Sequence, residues 1–179
     1  MRKSILLPLL ALLITLSIIP SARATDTREL EPVADSYVNI DHPDTNYGNY
    51  SWLSLESHYM MDELSYNKFD LSILPEDAVI EKVTLYLHVG WLSDPEEVIV
   101  CNSGTDWSEM EITWNNRPGY EQTPTDIVYV SYGEKWYSWD VTADITTNKA
   151  YFWAILFDLP TIHGWPDMDF DSSAEWTKA

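Results

Sequence analysis

Cysteine is almost missing from these 179 residues: Cys101 stands alone, so no disulfide can form within the chain. It lies in the apolar run Val98-Ile99-Val100-Cys101 and reads as a buried thiol used as a small hydrophobe. Basic residues are also scarce, 10 Lys and Arg against 29 Asp and Glu, for a formal net charge of −19. Binding along a phosphate backbone needs clustered bases, so nucleic acid is a poor partner. With 6 Gly and 10 Pro the chain is neither collagen-like nor low in complexity, and no internal repeat or linker divides it. Long apolar runs are absent beyond the first two dozen residues, so no membrane span is expected in the rest.

Those first residues read as a leader. Arg2 and Lys3 form a positive start, residues 5–19 are apolar or small apart from Pro8, and Ala22-Arg23-Ala24 supplies the small residues that a signal peptidase prefers. A signal peptide over 1–24 is predicted, with cleavage after Ala24 and export of a single domain over 25–179. The leader holds three bases (Arg2, Lys3, Arg23) and no acid, which leaves 7 basic against 29 acidic residues, or −22. A domain of this size buries a full core without covalent staples.

What is present in quantity is period-two patterning. Val83, Leu85, Leu87 and Val89 alternate with Thr84, Tyr86 and His88, the mark of a half-buried strand. Further strands are predicted at 98–101, 112–114, 127–132, 136–141 and 152–157, and earlier ones at 35–40, 51–55 and 65–69. Residues 142–148 allow one helical turn at most. Many short strands with turn chemistry between them, and no long amphipathic helix, predict an all-β fold, an antiparallel jelly-roll-like β-sandwich. Residues 167–171 alternate like a strand and no closing hydrophobic strand follows, so a fragment of a longer protein that lacks its final strand is expected.

An ordered series of motifs then points to a family. Asp35-Ser36-Tyr37-Val38, Pro43-Asp44-Thr45-Asn46-Tyr47-Gly48 and Lys68-Phe69-Asp70-Leu71-Ser72-Ile73-Leu74-Pro75 come first. Asp106-Trp107-Ser108-Glu109, Thr113-Trp114-Asn115-Asn116-Arg117-Pro118 and Asp140-Val141-Thr142 follow. In this order they resemble the DNRLRE-domain proteins, of the type of the family 96 carbohydrate-binding modules and the related archaeal disaggregatase repeat. The resemblance implies a jelly-roll-like sandwich on secreted or cell-surface proteins, an accessory module beside enzymes or in surface layers, with alginate a ligand of characterised members.

Catalysis by the domain itself is not expected. Carboxylates are too numerous for any pair to single out a glycosidase, no Gly-x-Ser-x-Gly occurs, and His42, His58, His88 and His163 are scattered without a partner motif. Calcium has more to recommend it, because it takes oxygen ligands on turns and between acidic strands. Asp41, Asp44 and Asn46 form one candidate set and Asp167, Asp169 and Asp171 a second; solvated surface acids are the plainer account of both.

Aromatics are the remaining signal, nine Trp and eleven Tyr. Trp114, Trp139 and Trp153 sit among apolar neighbours and Trp107 lies in the Asp-Trp-Ser-Glu motif, which assigns them to packing. Trp52, Trp91, Tyr120, Tyr132, Trp136 and Trp165 fall at strand ends or in loops, where flat rings either stack on sugars or cap the ends of the sandwich. A secreted, non-catalytic module that binds a polysaccharide or other glycan is therefore predicted; a structural surface-layer or adhesion module packing against protein neighbours is the alternative. Asn49-Tyr50-Ser51 adds an N-glycosylation sequon.

Overall fold

The computed structural model describes residues 26–57, 63–75, 77–104, 106–146, 150–157 and 167–171. The expected leader lies outside them. Nine strands run in order, β1 (Ala34–Asn39), β2 (Trp52–Glu56), β3 (Glu63–Asp70), β4 (Thr84–Leu92), β5 (Glu96–Asn102), β6 (Asp126–Val130), β7 (Lys135–Asp140), β8 (Ala150–Phe157) and β9 (Asp167–Asp171). A 3-10 turn at Thr142–Asp144 is the single helical element among the described residues. None of their helices is long and apolar enough to cross a membrane.

All pairings are antiparallel, and they build two layers. One carries the order β6-β5-β8-β3 with β1 on the far side of β3, and the other carries β2-β9-β4-β7. Only the β2–β3 hairpin pair, Glu56 facing Glu63, links them by a ladder. At the opposite edge β6 and β7 meet without one; there the Asp140 N–H donates to the Asp126 carboxylate at 2.7 Å. The fold is the expected jelly-roll-like sandwich, rolled nearly closed with this seam unsealed.

Alternation drives every layer. Leu53 and Leu55, Met168 and Phe170, Leu85, Leu87 and Val89, and Tyr137 and Trp139 point inward from the four-stranded sheet to meet Phe69, Val98, Val100, Trp153 and Ile155. Trp139 and Trp153 are fully buried there. Each indole N–H is satisfied, Trp139 by the Val98 carbonyl at 3.0 Å and Trp153 by the Asp144 carboxylate on the 3-10 turn, as buried indoles require.

A second core lies outside the five-stranded sheet. Val38, Leu64, Tyr66, Ile99, Cys101, Phe152, Ala154 and Leu156 face away from the sandwich interior and are covered by the β5–β6 connection, through Trp107 and Ile112 with Trp114 and Tyr120 at the margin. Cys101 is buried in it. This corrects one expectation: residues 112–114 form no strand but part of a folded cover. Asn116 holds the turn by accepting the Thr113 N–H at 2.6 Å and donating to the Glu111 carbonyl at 2.8 Å, so the local side-chain bonds displace a ladder. Arg117 lies 3.6 Å over the Trp114 ring and donates to the Trp114 carbonyl.

The cover is pinned to the β1–β2 loop. Asn46 donates to the Glu109 and Ile112 carbonyls, both at 2.7 Å, and the Asp44 carboxylate accepts from Asn115 at 2.8 Å. Gly48 sits so close that a Cβ there would stand 2.1 Å from the Glu109 carbonyl oxygen. Glu109 in turn accepts the Asp35 N–H at 3.2 Å and caps the free edge of β1.

Candidate functional site

The outer face of the four-stranded sheet is covered only in part among the described residues: Ser54 is buried and Asp169 half-buried, while Trp52, Trp91 and Trp136 stand exposed. Register places its side chains. Trp52 on β2 pairs with Asp171 on β9, and Ser54 pairs with Asp169. Asp169 pairs on its other side with Trp91 of β4, and His88 of β4 pairs with Trp136 of β7. Since Leu53, Met168, Leu87 and Tyr137 occupy the inward positions, Trp52, Asp169, His88 and Trp136 lie on the outside.

Trp91 reaches that face through a defect. Simple alternation from Val89 would turn it inward, but a β-bulge between Val89 and Trp91 inserts one residue, so Trp91 faces out opposite Asp169 while Leu92 packs inward beside Met168. The β6–β7 turn seats against the bulge: a Cβ on Gly133 would lie 3.2 Å from the Gly90 carbonyl oxygen.

Trp52, Trp91 and Trp136 are 41%, 49% and 43% exposed, and the two outer ones are braced by other rings. Trp136 packs against His88 with ring centroids 5.2 Å apart. Trp52 meets Tyr50 edge-on at 4.9 Å, Tyr50 meets Tyr47 at 5.3 Å, and Tyr47 stacks on Tyr37 at 4.2 Å. A continuous aromatic run therefore leads from the β1 edge onto the sheet. Burial, with Glu63 and the neighbouring tyrosines adding to it, raises the Tyr37 phenol, so it stays protonated. Burial likewise raises the Asp169 carboxyl, and the Ser54 hydroxyl bonded to it opposes that in part.

The expected sugar-binding residues divide. Trp52, Trp91 and Trp136, from three strands, share this one face. Tyr132 is 70% exposed in the β6–β7 turn. Tyr120 lies on the other side of the molecule, half-buried against the second core and bridged to Ser103. Trp165 lies outside the described residues. Tyr50 and His88 are not among the residues expected to bind sugar; the signal for them was proximity to Trp52 and an outward position in an alternating strand.

Of the calcium candidates, Asp41 is exposed, Asp44 bonds to Asn115, and Asn46 is occupied on both sides of its amide, the oxygen accepting the Gly48 N–H at 3.2 Å. Asp169 is half-buried in β9, flanked along the strand by Asp167 and Asp171. Among the described residues, no three His, Cys, Asp or Glu side chains gather as a metal cluster.

This face carries three half-exposed indoles and a half-buried carboxylate, a surface suited to holding a ligand. Over residues 26–173 the chain matches carbohydrate-binding module family 96, and it belongs to that family. It is a non-catalytic carbohydrate-binding module. Over 137 residues it is 28% identical to a gellan lyase of a Bacillus species, a match covering 74% of this chain and 6% of that protein. The chain thus spans only a small part of the length of that relative.

Proposed function

We propose that the module holds a polysaccharide against the outer face of β2-β9-β4-β7, with Trp52, Trp91 and Trp136 as the stacking rings. One observation carries this reading: residues 52, 91 and 136 are far apart in the chain, yet pairing and a bulge bring their half-exposed indoles onto one face. Indoles present large apolar area at low rotamer cost, which suits the C–H faces of sugar rings. The protein is exported and displayed outside the cell, in keeping with the Ala22-Arg23-Ala24 leader pattern. It serves there as an accessory module that brings a larger polypeptide to its polysaccharide, as the short match within a much longer lyase supports. Native gel retardation by soluble polysaccharides tests the reading: Trp91→Ala should weaken retardation by about tenfold, and an unchanged mobility shift would refute the assignment of the face.

Calcium on β9 is a second element of the proposal, favoured by carboxylates at alternate positions 167, 169 and 171. A higher melting temperature in calcium than in chelator supports it, and superimposable curves remove it.

A further inference from the structure

The charge on this face and the spacing of its rings say which polysaccharide it fits, given that the face is the glycan site. On the outward positions of the four strands whose side chains are described there is no Lys or Arg, while Glu56, Asp140 and Asp169 fall there by register. Lys135 stands at the rim beside Trp136, its ammonium held 5.1 Å over the Tyr137 ring. A polyuronate laid on the face would meet carboxylates on β2, β9 and β7, with Lys82 beside Asp140 and Lys135 at the rim as the cations near it. An uncharged sugar has the opposite experience, because Asp169, set between Ser54 and Trp91, is an acceptor for its hydroxyls.

Pitch narrows the class further. From Trp52 on β2 to Trp136 on β7 is three strand spacings of about 4.8 Å, or about 14 Å across the sheet. A pyranose chain with equatorial linkages extends by nearly that step per residue and keeps broad C–H faces in line, so successive sugars register with successive strands. An axially linked, helical chain curves off such a platform within a few units. The hydrophobic core fills the opposite face of this sheet, so the rings meet one side of a chain and do not enclose it. Both end rings are fixed before binding by His88 and Tyr50, which lowers the ordering cost of a straight contact.

We infer that the ligand is an uncharged, equatorially linked polysaccharide lying across the strands along the row from Trp52 on β2 to His88 on β4 and Trp136 on β7, with Trp91 and Asp169 one row to its side, about three sugar units in contact.

Native gel retardation of the full chain with glucomannan, xylan, soluble starch and alginate, each at low and high salt and with and without chelator, tests it. Retardation is expected with glucomannan or xylan, indifferent to salt, and weakened about tenfold in Trp52→Ala and in Trp136→Ala. Asp169→Asn should weaken it less, about threefold. Circular dichroism of each variant must match the parent. Preferential binding of alginate or starch that is lost in Trp52→Ala overturns the inferred ligand while leaving the glycan face intact; so does alginate binding that requires calcium. Binding of any polymer that persists in Trp52→Ala, Trp91→Ala and Trp136→Ala, or no retardation by any of the four, overturns the face itself.

Discussion

On the outer side of the five-stranded sheet, Tyr66 and Phe152 lie under Trp107 with ring centroids 6.1 Å and 6.4 Å away, shut from water by the β5–β6 connection. On the outer side of the four-stranded sheet, Trp52, Trp91 and Trp136 stand close to half exposed with no connection over them among the described residues. Both faces are rich in rings; they differ in whether the chain spends a loop to cover them. The lid over the covered face is pinned to the β1–β2 loop by the Asn46, Asp44 and Gly48 contacts, and that face behaves as core. The bare face is acidic and braced ring against ring. Apolar burial stabilises the fold by about 25 cal/mol per Å², so rings left in water on one side while their counterparts are buried on the other are placed for a ligand.

The comparison breaks most visibly through the lid. Trp107→Ala should empty a filled site in the second core and cost about 3–5 kcal/mol, read as a lower urea midpoint; a loss below about 1 kcal/mol would mean that the lid rides loosely. Next is Gly48→Ala, where the added methyl meets the Glu109 carbonyl oxygen. The expected loss is about 2 kcal/mol, with faster hydrogen exchange confined to the lid.

The edge where lid and sheet meet should also respond to pH. Burial, followed by the negative charge of Glu109, lifts the Asp35 carboxyl from 3.8 to about 7. The folded protein therefore holds that proton more tightly than the unfolded chain. Its contribution is present in full below pH about 4 and is lost as pH rises through about 7. Melting temperature should fall across that window by an amount corresponding to about 1–2 kcal/mol, below the bound of about 1.4 kcal/mol per unit because the group keeps some solvent. Asp35→Asn should flatten the slope; an unaltered slope would assign the effect to another group.

The smallest stability effect belongs to the bare face. Trp52→Ala and Trp136→Ala should each shift the urea midpoint by less than the equivalent of about 1 kcal/mol while weakening binding about tenfold. A loss as large as that of Trp107→Ala would erase the distinction between the two faces.

Much of this fold could be read in the sequence. The alternation around Leu85 and Leu87, the strands near residues 35–40, 65–69, 98–101 and 152–157, and the packing roles of Trp107, Trp114, Trp139 and Trp153 all appear in the structure. The strand placed at 112–114 does not, because short side-chain bonds from Asn116 outcompeted a pattern of three residues. The candidate site was legible only as a set of residue types: Trp52, Trp91 and Trp136 were named without any sign that they share a face, and Tyr120 was grouped with them although it flanks the second core.

The acidity of the chain, its all-β character and the inward half of each strand follow from the residue pattern alone, because side-chain alternation is a local consequence of the extended backbone. Tertiary structure decided which strand lies beside which, that a bulge turns Trp91 outward, and that the β5–β6 connection covers one sheet and not the other. Those choices rest on pairings between residues far apart in sequence, and a pattern of period two carries no information about its partner across the sheet.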